Sequence, residues 1–136
     1  MNEDVKKLFN EYERLFDVLD VAGQARFFAD SFISAGPRGA IAQSKDEFLK
    51  MAEQAAAFYK SIGQTSAKIL SIEETPISNE YSLVRVHWAA TFQNTGMKTV
   101  EFDVSYVVQR MGEEPHIILF ITHQDEQEAM KELGLL

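Results

Sequence analysis

Apolar residues recur at helical spacing at the start of the chain. Val5, Leu8, Phe9, Tyr12, Leu15, Phe16 and Leu19 fall on one side, with Lys6, Lys7, Glu11 and Arg14 on the other. This is the pattern of an amphipathic helix that begins between Asn2 and Asp4. Asp20 is placed to cap a second, shorter helix carrying Phe27, Phe28 and Phe32. The tetrapeptide GPRG, Gly36 to Gly39, then interrupts the pattern, because Pro37 pushes its neighbour toward extended backbone and the glycines admit turn conformations. Residues 39–43 are expected to form a short strand. Ser44-Lys-Asp-Glu47 is a capping box that opens a third helix. Its apolar face is Phe48, Met51, Ala52, Ala55, Phe58, Tyr59 and Ile62, and Gly63 closes it.

Beyond Gly63 the period falls to two. Lys68 to Glu74 is a predicted strand, ended by Pro76. In residues 81–93, Val84, Val86, Trp88, Ala90 and Phe92 share one face, and Arg85, His87, Ala89, Thr91 and Gln93 the other. In residues 98–110, Val100, Phe102, Val104, Tyr106 and Val108 alternate with Glu101, Asp103, Ser105, Val107 and Gln109. A further run, His116 to His123, is apolar on both faces, as expected of a strand covered on each side. A short helix from about Gln124 to Leu133, closed by Gly134, ends the pattern. The two long stripes must point the same way, since a slip of one residue turns either of them into water. A loop Asn94-Thr95-Gly96 achieves this and sets Trp88 opposite Phe102, Val86 opposite Val104 and His87 opposite Asp103. A register shifted by two residues serves equally well. The fold class is therefore α+β: three N-terminal helices packed in a strongly bent antiparallel sheet, with a short C-terminal helix.

Composition narrows the function. At 136 residues the chain fits a single domain, residues 1–136, with enough mass for a core. The absence of cysteine removes disulfides, thiolate metal sites and a cysteine nucleophile. The net charge of −8, without a basic cluster, argues against a nucleic-acid partner. No apolar run approaches the roughly 20 residues of a membrane span, and the acidic, amphipathic N-terminus does not read as a secretory signal. A cytoplasmic protein is the expectation.

Several side chains invite a chemical reading. His87, Asp103 and His123 fall on the more polar sheet face, where a carboxylate flanked by imidazoles suits a general base or a metal. Cross-strand charge pairing with Arg85 and Glu101 on a solvated or dimer-forming face explains the same residues, and is preferred. Asp30 reads as a local backbone acceptor at the end of the second helix. Residues 123–126 read as capping and first-turn acids. GPRG lacks the lysine of a phosphate loop, and no nucleophile elbow or H-E-x-x-H occurs. No metal or cofactor is expected.

The order of elements, with Phe28-Ala29-Asp30 followed by the Phe32–Gly39 segment with Pro37 and Gly39, resembles the nuclear transport factor 2-like (NTF2-like) superfamily, the cystatin-like α+β cone, in its ketosteroid-isomerase-like (SnoaL-like) branch. The resemblance implies a pocket between helices and concave sheet for a small apolar or aromatic molecule, and a homodimer through the outer sheet face around His87, Leu119 and Ile121. In the isomerases of this superfamily the proton-shuttling aspartate precedes the proline; the matching residue here is Gly36, which has no proton acceptor. No catalytic residue is assigned. Tyr12, Tyr59, Trp88, Tyr106 and Thr122 put polar tips among core residues, and such groups need partners. The expected ligand-lining set is Tyr12, Phe16, Phe28, Phe32, Tyr59, Trp88, Phe102, Tyr106 and Phe120. Binding is the first expectation. An acid–base cyclase, dehydratase or isomerase using Tyr12, Tyr106 or Asp30 is the second, and a dimeric assembly module without a pocket the third.

Overall fold

A computed structural model describes residues 1–93, 96–132 and 134. Helix α1 (Glu3–Asp17) starts at Asn2, whose side chain accepts from the amides of Asp4 and Val5, and it buries Val5, Leu8, Phe9, Tyr12 and Leu15. Helix α2 (Val21–Ala25) is a single capped turn, with the Asp20 carboxylate accepting from the amide of Gly23. Strands β1 (Phe28–Gly36) and β2 (Gly39–Ser44) form a hairpin across Pro37-Arg38, with Gly36 opposite Gly39. Helix α3 (Lys45–Ser61) begins at the expected cap, the Ser44 hydroxyl accepting from the amide of Glu47. Strands β3 (Gln64–Pro76), β4 (Tyr81–Phe92), β5 (Lys98–Gln109) and β6 (His116–Thr122) follow, then helix α4 (Glu126–Glu132).

One six-stranded sheet results, in the order β2-β1-β6-β5-β4-β3. All neighbours are antiparallel except β1 and β6, which run parallel. The β4–β5 register pairs Trp88 with Phe102, Val86 with Val104 and His87 with Asp103, the first of the two registers the stripes allow. Of the connecting loop, Asn94 and Thr95 lie outside the described residues, and Gly96 takes a φ of 90°. Both stripes turn inward: Val84, Val86, Trp88, Ala90 and Phe92 meet Val100, Phe102, Val104, Tyr106 and Val108 in one core cluster with the buried face of α1.

Two local expectations are corrected. Phe28 and Phe32 do not belong to a helix; α2 stops at Ala25, and both phenylalanines are buried residues of β1. Their spacing of four satisfies a strand face as well as a helix face, and strand pairing wins because β1 finds β2 on one side and β6 on the other. Asp30 accordingly ends no helix. Its side chain stands in solvent 3.8 Å from the Lys45 ammonium. In α3 the covered line is Phe48, Ala52, Ala56 and Tyr59, whereas Met51, Ala55 and Phe58 of the expected apolar face are exposed. The helix stripe is wider than the patch of sheet beneath it.

Helix α1 is also tied to the free edge of the sheet. The Asp17 carboxylate accepts from the amide of Ala67 at 2.9 Å and Glu13 from that of Ile69 at 2.6 Å, while Glu74 on β3 accepts from the amide of Asn2 at 2.7 Å. Edge amides left open invite pairing with another chain. Here acids of the adjoining helix occupy two of them. Burial would raise the Glu74 carboxyl, but the bonds from the Ser82 hydroxyl and the Asn2 amide hold it below its usual range.

Candidate functional site

The concave side of the sheet gathers rings. Tyr12 of α1 lies within ring-contact distance of Phe27, Phe28, Trp88 and Tyr106, and Phe16 packs on Trp88 at 5.2 Å between centroids. Trp88 stacks over Phe102 and donates its indole N–H to the Tyr106 hydroxyl at 3.2 Å. The indole N–H of one expected lining residue is thus satisfied by the hydroxyl of another. A second group of rings sits toward the β1 end. Phe28 meets Phe32 at 4.7 Å and Phe48 of α3 at 4.6 Å, and Phe120 of β6 meets Phe28 at 5.9 Å and Phe32 at 6.2 Å. Phe120 reaches Tyr106 at 6.5 Å, so the two groups adjoin. Tyr59 stands apart, against Phe92 at the far end of the concave side. Phe48, which joins the second group from the first turn of α3, was legible only as one residue of a long helix stripe.

Gly36 ends β1 beside the last residue of β6. A Cβ on Gly36 would lie 2.5 Å from the Thr122 hydroxyl, which donates to the carbonyl of Ala35 at 3.3 Å. The position therefore lacks a carboxylate, and any side chain placed there requires the Thr122 hydroxyl to shift. Around this hairpin turn a shallow cavity of about 440 Å³ is walled by Ser34 to Ile41, Thr122, Gln124 and Asp125, with Arg38 paired to Asp125 at 3.0 Å.

On the outer face the expected polar constellation forms in part. The His87 ring contacts Asp103 through Nδ1 at 2.9 Å and Glu101 through Nε2 at 2.8 Å. The Glu101 bond, with that to Asp103 behind it, raises the imidazole above its ordinary value of 6.5. The bond from His87 holds the Asp103 carboxyl below its usual range against the effect of burial, with help from Gln124 and Arg85. His123 does not join them. β6 has ended at Thr122, and the His123 ring turns to the Ser105 hydroxyl at 2.7 Å, while only its backbone amide reaches the carbonyl of Asp103. Gln124 takes the place expected of His123, bonding both the amide and the carboxylate of Asp103. With both imidazole nitrogens engaged by carboxylates, His87 is held as a partly exposed charge pair and presents no free lone pair to a substrate or ion. Among the described residues, no group of three or more histidines and acids is arranged to hold a metal.

The same face carries a feature that alternation along single strands does not reveal. Following the registers across the sheet, Leu83 of β4 lies opposite Val107 of β5, Val107 opposite Leu119 of β6, Leu119 beside Ile33 of β1, and Ile33 opposite Ala42 of β2. Leu83 is 38% exposed and Ile33 44%, with Ile121 in the next row at 40%.

Comparison with known proteins places this architecture. The family model described as NTF2-like protein (DUF6841) matches residues 2–125. The chain belongs to this NTF2-like family. No curated protein matches the sequence. Among solved structures, an NTF2-like protein of unknown function from Shewanella oneidensis superposes with a TM-score of 0.75 at 15% identity, over 90% of this chain and 98% of that one. The β subunit of benzoate 1,2-dioxygenase from Burkholderia mallei gives 0.71 at 12% identity, over 91% and 90% of the two chains. A putative scytalone dehydratase from Novosphingobium aromaticivorans gives 0.70 at 15%, over 87% and 79%. At these identities the likeness speaks for the NTF2-like fold. Among the described residues, no helix is long and apolar enough to cross a membrane.

Proposed function

We propose that this NTF2-like chain works as a non-catalytic module that pairs with a second copy of itself across the outer face of its sheet. The observation that carries the reading is the row Leu83–Val107–Leu119–Ile33–Ala42, apolar in register over neighbouring strands and left partly open to solvent. With strands about 4.8 Å apart the row is roughly 19 Å long. That suits the centre of an interface burying about 800 Å² per partner, with the His87, Glu101, Asp103 and Arg85 charges toward its rim. A neighbour of the same fold is a subunit of a larger enzyme, which is consistent with an assembly role. The glycine at position 36, crowded by Thr122, weighs against isomerase-type chemistry. Sedimentation equilibrium of the full chain tests the reading. A dimer is expected at micromolar concentration, and Val107→Lys is expected to give a folded monomer. A wild-type monomer at about 100 μM would remove it.

A second reading keeps the concave side as a binding site for a small apolar or aromatic molecule. It is favoured by the ring group Phe28, Phe32, Phe48 and Phe120, to which α3, a helix with Ala56 as its one buried side chain, contributes Phe48. Such a helix is lifted at the loss of few buried contacts. The test is perturbation of Phe28, Phe32 and Phe120 resonances by 1-naphthol added to the full chain; absence of any shift up to millimolar concentration counts against it.

A further inference from the structure

We propose that Gln43 is the polar anchor of a ligand site between α3 and the β1 end of the sheet, and that the ligand is a flat aromatic molecule bearing one hydroxyl or N–H donor. The proposal rests on the second reading above and names the chemistry of that site. Gln43 lies on β2 directly opposite Phe32, so the two share the concave face, and Phe32 belongs to the ring group with Phe28, Phe48 and Phe120. Gln43 is 8% exposed, one of few polar side chains so deeply covered. Its Oε1 has no hydrogen-bond partner among the described residues. A buried amide oxygen without a donor is costly, and native folds rarely leave one.

The surroundings decide what kind of donor fits. Phe28 and Phe48 meet edge to face at 4.6 Å, and Phe32 and Phe48 likewise at 5.3 Å, so Phe48 of α3 packs edge-on against the touching pair Phe28 and Phe32. A ligand ring entering under α3 takes over the place of Phe48 and keeps the same kind of contacts. Phe48 then turns outward toward the already exposed Met51, three residues along the same helix. An anion is disfavoured, because the group awaiting it is an acceptor oxygen in apolar surroundings. A purely hydrocarbon ligand leaves the oxygen unmet. A single donor on an aromatic ring satisfies both conditions.

The experiment compares 1-naphthol with 1-methoxynaphthalene, a matched pair differing in the donor, by calorimetric titration of the full-length protein. Wild type is expected to bind the naphthol at least tenfold more tightly. Gln43→Met, which keeps the volume and removes the acceptor, is expected to bind both at the weaker level and to melt at a higher temperature than wild type without ligand. The side-chain amide resonances of Gln43 are expected to shift with naphthol and not with the ether. Equal affinity for the two probes, or an unchanged preference in Gln43→Met, overturns the anchor while leaving concave-side binding intact. Failure of both probes to bind wild type and Phe48→Ala alike overturns the anchor and the binding reading together.

Discussion

Replacing Asp17 by alanine tests how the helical half is held to the sheet. Asp17 ends α1 and spends one carboxylate oxygen on the Ala67 amide, 2.9 Å away on the free edge of β3, and the other on the Lys68 ammonium at 3.2 Å. Ala67 is fully buried, so its N–H is left without its protein acceptor once the carboxylate is gone. An unpaired buried amide costs about 1–3 kcal/mol. The exposed ion pair to Lys68 adds little, about 0–1 kcal/mol. The expected loss is thus about 2 kcal/mol, equivalent to roughly 7 °C in Tm for a domain of this size. Urea denaturation monitored by circular dichroism measures the loss, and amide hydrogen exchange locates it, with the Ala67 amide exchanging much faster in the variant. Asp17→Asn retains an acceptor oxygen and is expected to recover at least half of the stability. If Asp17→Asn is as damaged as Asp17→Ala, or if Asp17→Ala costs less than about 0.5 kcal/mol, the claim that this hydrogen bond fastens the helix to the edge is wrong.

Tyr106→Phe leaves the fully buried Trp88 indole N–H without its acceptor and is expected to cost about 1–3 kcal/mol; a changed emission from this lone tryptophan reports it directly. Because the His87 imidazole is raised by Glu101 and Asp103, its proton resonances should titrate above the ordinary 6.5, and Glu101→Gln should bring the midpoint down. The stability this pair contributes is complete below the unfolded value of histidine and is lost as pH rises through the raised folded value. Asp103, held low mainly by His87, contributes in the opposite sense, its share vanishing as pH falls through its lowered value. The pair therefore helps most in weakly acidic solution, and His87→Gln should flatten the stability profile on both sides of that window. Gly36→Ala is expected to destabilise by about 1–3 kcal/mol through its clash with Thr122, and the double variant with Thr122→Ala to recover much of it, a coupling that a thermodynamic cycle reads directly.

The long strands were legible because their stripes are long and the paired faces must agree. Val84 to Phe92 and Val100 to Val108 leave two registers, and the structure takes one of them. Helix starts at Asn2, Asp20 and Ser44 were legible because each carries a side-chain acceptor at its cap. The β1 segment was not, since its decisive partner, β6, lies far along the chain and two phenylalanines four apart fit either periodicity. The outer apolar row was hidden for a similar reason. Val107 looks like a stray apolar residue among Glu101, Asp103, Ser105 and Gln109, and gains meaning only when Leu83, Leu119 and Ile33 are set beside it. Gln43 gave no signal at all, because nothing in GAIAQS says which of its side chains will be buried.

The closeness of Gly36 to Thr122 dictates the order in which an acid could ever be installed at the hairpin. An aspartate arriving first must displace the Thr122 hydroxyl and starts with a loss of stability before any chemistry is tried. Shortening residue 122 beforehand is the permissive step: it forfeits only a long bond to a neighbouring carbonyl. Directed libraries that vary position 36 alone will therefore select against stability, whereas libraries that pair it with position 122 explore a less costly route.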